Sequence, residues 1–224
     1  MDTIRETYLA RLTQEFNTMS NLVLRQAQIL KLQLVGDTTQ ALVDEMQQNE
    51  ISIDGMEVKL RDDIVNSIVL YAPRAGDLRR IISYYDTVVD LERIADTIDS
   101  ISRRMHYLNK QNSIYPEYQE NAVLLFDLAD SLLQNAVFAF LWADNAMARS
   151  VISRDEELDK IHRASHKKLF EYQKQDEEHP NWLADILDLG RILYGMERIG
   201  DGATNIAEAV IFLSEGRDVR HKDL

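Results

Sequence analysis

Leu91-Glu92-Arg93-Ile94-Ala95-Asp96 and Met196-Glu197-Arg198-Ile199-Gly200-Asp201 are one acidic phrase written twice, 105 positions apart (197 − 92) in a chain of 224 residues. A second acidic pair repeats at the same offset: Glu50 and Asp54 stand 105 positions before Asp155 and Asp159. Each pair has the spacing Glu/Asp-x-x-x-Asp, which places both carboxylates on one helix face. Two matched sets at one offset point to a duplicated helical unit of about half the chain. Each copy then gathers carboxylates, the donor set of a hard cation.

Working outward, the chain divides into six helical segments. Leu9, Leu12, Phe16, Met19, Val23 and Leu30 recur at helical spacing in a first helix from near Thr3 to Val35. Thr3 and Glu6 fit a capping box, and Gly36 fits the C-terminal stop. Asp37, with Gln40 three residues on, fits the cap of a second helix that Pro73 ends near Ala72. A third opens at Gly76-Asp77 and runs to Leu108, followed by a polar loop over 109–115. Pro116 suits the first turn of a fourth helix, Glu117 to Ala143. The fifth spans Asn145 to Gln175, and the sixth starts after Pro180 and ends before Gly216. The expected fold is all-α: two tandem three-helix bundles, residues 1–112 and 113–224, related by internal duplication.

Composition narrows the function. With 45% apolar residues the chain can bury a core, and three prolines and eight glycines suit long helices. A formal charge of −13 argues against a sequence-independent nucleic-acid binder and against docking on an anionic membrane. No cysteine is present, so disulfides and thiolate ligation are excluded. The first residues are acidic and read as a helix turn, not a signal peptide. The most apolar stretch, residues 136–143, is flanked by Asp130 and Asp144 and is too short to span a bilayer. A cytoplasmic location is expected.

Stepping at 100° per residue, Leu78, Ile82, Tyr85 and Val89 form an apolar line that leads into Glu92 and Asp96. Leu183, Leu187, Gly190 and Tyr194 lead likewise into Glu197 and Asp201. Carboxylates that prolong a packing line face a neighbouring helix at its edge. The expected neighbours carry Glu50, Asp54 and Glu57 in the first half, and Asp155, Asp159 and His162 in the second. Each pocket would offer four or five oxygens, with one imidazole in the second that would also admit iron, zinc or manganese. The bland reading is a solvated acidic face neutralised by Arg61, Arg93 and Arg198. Asp99, Ser100, Thr204 and Asn205 follow the pairs as outer ligands or solvated helix ends.

Other motifs carry less. His106, His166, His179 and His221 read as surface histidines with no second histidine at ligand spacing. Trp142 and Phe138 fit helix packing, Trp182 a bundle end, and Arg74, Arg79 and Arg80 a small basic patch. No nucleophile–base pair, phosphate-binding glycine loop or dinucleotide fingerprint appears, so an enzyme is not expected.

The segment Tyr194-Gly195-Met196-Glu197-Arg198-Ile199-Gly200-Asp201-Gly202-Ala203-Thr204-Asn205-Ile206-Ala207-Glu208, followed by Phe212 to Gly216, resembles a signature helix of the PhoU family. So do Pro73-Arg74-Ala75-Gly76-Asp77-Leu78-Arg79 and Asp90 to Asp96. The resemblance implies two three-helix bundles and a non-enzymatic cytoplasmic regulator. Its implied partners are a high-affinity phosphate ABC transporter and a sensor histidine kinase, with a homodimer open. The implied cofactor is a metal ion, iron or zinc among the choices, on Glu50, Asp54, Glu92 and Asp96 in one bundle and Asp155, Asp159, Glu197 and Asp201 in the other. An accessory role for a low-affinity phosphate or cation carrier is the alternative, and a metal-dependent enzyme the remote one. Ala95 stands where the pattern has glycine, which puts close helix approach and the first metal site in doubt.

Overall fold

The computed structural model describes residues 2–108, 113–171, 181–217 and 219. Among them are six helices and no strand: α1 (Asp2–Leu34), α2 (Gln40–Tyr71), α3 (Ala75–Leu108), α4 (Tyr115–Trp142), α5 (Asn145–Phe170) and α6 (Trp182–Glu215). Turn chemistry sets several of their ends. Gly36 and Gly216 take φ +93° and +67°, where a side chain is strained. Pro73 stops α2 at Tyr71, and Pro116 sits in the first turn of α4. Asp144 Oδ1 accepts from the Ala146 and Met147 amides at 2.9 and 3.0 Å and caps α5. The cap of α2 is Thr39, not Asp37: its Oγ1 accepts from Leu42 N at 3.3 Å. The side chains of Thr3 and Glu6, residues 109–112 and residues 172–180 lie outside the described residues, as do His179 and His221.

Within each half the three helices pack on one another, α1 with α2 and α3, α4 with α5 and α6. Leu12, Phe16, Met19, Val23 and Leu30 are buried along α1, as their spacing predicts. The halves are joined by helices meeting their own counterparts, α3 against α6 and α1 against α4. Ile94 lies opposite Gly202 and Ile101 opposite Gly195, so α3 and α6 run antiparallel. A Cβ added at Gly202 would stand 2.7 Å from Ile94 Cγ1, so glycine sets the closeness of the crossing. Phe16, Tyr84 and Phe140 form an aromatic cluster with centroids 4.9 to 5.1 Å apart, drawn from α1, α3 and α4. All six helices contribute to one continuous core.

Two expectations need correction. Tyr85 packs against the core, but the predicted lines are not the core stripes: Leu78, Leu183, Leu187 and Tyr194 lie at the surface. These residues are 37%, 58%, 57% and 55% exposed, because the true core stripes run through Ile81, Tyr84, Val88 and Leu91, and through Ile186, Leu189, Leu193 and Met196. Second, α4 as a whole is long and apolar enough to cross a membrane, although residues 136–143 alone are not. In this fold α4 is a core helix: its apolar residues, from Leu125 to Phe140, are covered by protein.

Candidate functional site

Glu92 and Asp96 lie on the flank of α3 that faces α2, and Glu197 and Asp201 on the flank of α6 that faces α5. The bundle thus brings together the pairs that the repeat predicts. In the first half Glu50 Oε2 accepts from Gln26 Nε2 at 2.7 Å. Burial, a hydrogen bond shared with Asp96 and the charges of Asp99 and Asp96 push the Glu50 carboxyl up to about 7. Burial, then Asp96, Glu57 and Asp54, raise Glu92. Arg61 removes Glu57 from the unpaired set, donating to it at 2.6 Å and to Tyr85 Oη at 2.7 Å.

In the second half Thr204 Oγ1 donates to Asp155 Oδ1 at 3.2 Å. Burial and then Asp155, Asp159 and Glu197 push the Asp201 carboxyl up to about 6. Asp201 keeps an edge to solvent, which tempers the first cause; three neighbouring carboxylates carry the direction. Burial, Asp159 and Asp155 raise Glu197, whose Oε2 is buried with no hydrogen-bond partner among the described residues. Burial holds His162 below its ordinary value, and its Nε2 is likewise buried without a partner among them. Asp159 accepts from Arg163 at 3.0 Å, a pair exposed enough to add little.

The backbone explains how the helices come this close. A Cβ on Gly200 would overlap Leu158 Cδ2 of α5, and Asp155 Oδ1 would be 3.9 Å away. Ala95, at the same register of α3, is fully buried, so its extra methyl is accommodated. Ile53 stands where the second half has Leu158, 105 positions later. Leu158 fills the notch at Gly200, and the equivalent positions in the first half, Ile53 and Ala95, are both buried.

Two residues read as peripheral lie within the acidic and histidine clusters. Asp99 is 6% exposed, and burial together with Asp96 and Asp54 raises it against the opposing Arg103. His166, expected at the surface, is half-buried with its ring 4.6 Å from that of His162. The i, i+4 spacing of the two histidines carried the signal. Asp155, Asp159, His162 and His166 together form one stripe of α5. Among the described residues no three Asp, Glu or His side chains are already drawn together at metal-holding distance. The donor chemistry nevertheless fits a cation: raised carboxylates, no lysine among them, and two orphaned polar atoms, Glu197 Oε2 and His162 Nε2.

The PhoU domain model matches residues 16–105 and again 123–210, one copy on each half. The chain belongs to the PhoU family. A Pseudomonas aeruginosa relative, named a phosphate-specific transport system accessory protein PhoU homolog, is 32% identical over 194 residues, covering 84% of this chain and 78% of the relative. A Pseudomonas putida relative of the same name is 30% identical over 231 residues, covering 98% and 88%. The crystal structure of PhoU from Pseudomonas aeruginosa superposes with a TM-score of 0.84 at 29% identity, covering 95% of this chain and 99% of that one. The acidic phrases thus occupy the same place in two copies of the PhoU domain.

Proposed function

We propose that this protein is an accessory regulator of a high-affinity phosphate ABC transporter. It restrains uptake when phosphate is plentiful and helps a sensor histidine kinase hold its repressing state. The observation that carries the reading is the PhoU domain match on both halves, joined to relatives named for the phosphate-specific transport system. The protein works in the cytoplasm and by contact, not catalysis: its site has clustered acids without a nucleophile–base pair.

Glu50, Asp54, Glu92 and Asp96 would hold a cation in one half, and Asp155, Asp159, Glu197 and Asp201, with His162, in the other. A bound cation supplies positive charge where several carboxylates repel one another. The chain's own groups do the rest. Gln26 orients Glu50, Thr204 orients Asp155, and Arg61 keeps Glu57 neutralised.

The test has two arms. Phosphate uptake is measured in a strain lacking this protein and complemented with wild type, with capture of the transporter's cytoplasmic subunit alongside. Restored repression with capture is expected; unrepressed uptake without capture rejects the transporter role. Metal content by mass spectrometry of wild type and Glu197→Ala/Asp201→Ala tests the cation. Stoichiometric metal lost in the variant is expected, and a folded protein that takes up no added cation rejects it.

A further inference from the structure

The repeated phrase contains an arginine next to each glutamate, and the fold sends the two residue types in different directions. Glu92 and Glu197 face α2 and α5 on the outside of the molecule. Arg93 and Arg198, one residue on and about 100° around, come together in the groove between α3 and α6. They line both this groove and the smaller hollow beside it. The groove encloses about 450 Å³ and is lined by five arginines, the other three being Arg103, Arg104 and Arg191. No lysine is among its lining residues. In a chain with 25 basic and 38 acidic side chains, that concentration runs against the overall charge.

The arginines fall into two groups. Arg104 pairs with Asp188 at 2.8 Å, and Arg191 reaches the same carboxylate at 3.7 Å. Arg103 pairs with Asp99 at 2.8 Å. Arg93 and Arg198 make no ion pair or side-chain hydrogen bond among the described residues. They lower the neighbouring carboxylates through space only. On helix geometry Arg93 and Arg104 are about 16 Å apart along α3, and Arg191 and Arg198 about 10 Å along α6. In the antiparallel register that sets Ile94 opposite Gly202 and Ile101 opposite Gly195, Arg93 marks one end of the groove, Arg104 and Arg191 the other, and Arg198 lies between them. Gly195 forms part of the wall, and Ile101 and Thr97 pack against it, so it sets how closely α3 and α6 approach beneath the groove.

We infer that this groove binds an oligophosphate chain of three or more phosphoryl groups, running from Arg93 past Arg198 to Arg104 and Arg191. Guanidinium forks match phosphate oxygens two at a time, which an ammonium does not. Arginines at both ends favour a chain over a single phosphate. A groove of this volume takes a small ligand. Asp96 on the groove wall repels an anion there, so the arginines have to outweigh it. The chain's source is either a free inorganic oligophosphate or the triphosphate tail of a nucleotide. This inference does not rest on the transporter role; Asp96 belongs to both the groove wall and the first acidic cluster, so the metal-free protein is the form to test.

Isothermal titration calorimetry of the full chain tests it, with a chelator present and ionic strength held constant. The probes are sodium tripolyphosphate, ATP and orthophosphate. Saturable one-to-one binding of tripolyphosphate is expected, weakened at least tenfold in Arg93→Gln/Arg198→Gln and unchanged in Arg11→Gln, which lies outside the groove. Arg93→Lys/Arg198→Lys retains the charge without the fork. It should fall between the two and serves if the glutamine variant does not fold. ATP binding as tightly as the inorganic chain assigns the nucleotide tail; weaker ATP binding assigns the free chain. Absence of saturable binding by all three probes, orthophosphate matching tripolyphosphate, or unchanged affinity in both double variants would overturn the inference.

Discussion

At the scale of single residues, Gly200 and Glu50 are the informative positions. Any side chain at Gly200 meets Leu158, so Gly200→Ala should destabilise by about 1–3 kcal/mol. Adding Leu158→Ile, the pairing used at Ile53 and Ala95, should recover part of that loss. Urea denaturation of the two single variants and the double measures the coupling. Glu50 makes a different prediction. Its folded-state carboxyl, pushed up to about 7 from 4.5, keeps a proton that the unfolded chain has already shed. Stability from this group is therefore lost as pH rises from about 5 to 7, and Asp201 acts the same way around 6. His162, held down from 6.5, opposes them as pH falls. The clean reading is a difference: in chelator, Glu50→Gln/Asp201→Asn should raise Tm by a few degrees at pH 7.5 and little at pH 5. An equal rise at both pH values would contradict the sign. The eight carboxylates were legible because their register repeats. Asp99 was not, since the counterpart of residue 99 is Thr204, and no repeated acid marked it.

At the scale of helices, the crossing of α3 and α6 decides most. Gly202→Val would drive a branched side chain into Ile94, whose Cγ1 is 2.7 Å from the added Cβ. The helices must part or Ile94 must leave its rotamer, so a loss of about 1–3 kcal/mol is expected. If Gly202→Val melts like wild type in a thermal scan, the contact is looser than drawn here. Periodicity located all six helices because each carries a long apolar stripe, and proline and glycine marked several ends. It misplaced the stripes near the starts of α3 and α6. There Leu78, Leu183 and Leu187 are apolar yet exposed, and a neighbouring stripe competes at nearly the same phase. Nothing in the pattern of one helix says which of two adjacent lines meets another helix. The cap of α2 was misread for a local reason: Asp37 and Thr39 are both capping residues, and hydrogen-bond geometry selects Thr39.

Across the whole molecule, the continuity of the core matters more than the division into halves. Phe140 from α4 packs, tilted and edge-on, against Phe16 and Tyr84 from the other half. Phe140→Ala should therefore cost about 3–5 kcal/mol and lower the melting of both halves together. Hydrogen exchange resolved by residue checks this. Protection that falls only in α4, α5 and α6 would show two independently folding units. The sequence showed the duplication but not how the copies meet, because α3 and α6 each have to be placed in space before their shared groove exists. Counterpart packing on counterpart, with α3 and α6 antiparallel, is the arrangement of a two-fold homodimer whose subunits have been fused into one polypeptide. Fusion releases such an assembly from mirrored change. In a true dimer every substitution near the axis occurs twice, whereas here glycine and alanine, leucine and isoleucine, threonine and aspartate occupy equivalent places on opposite sides. One copy is thereby free to specialise while the other preserves the frame.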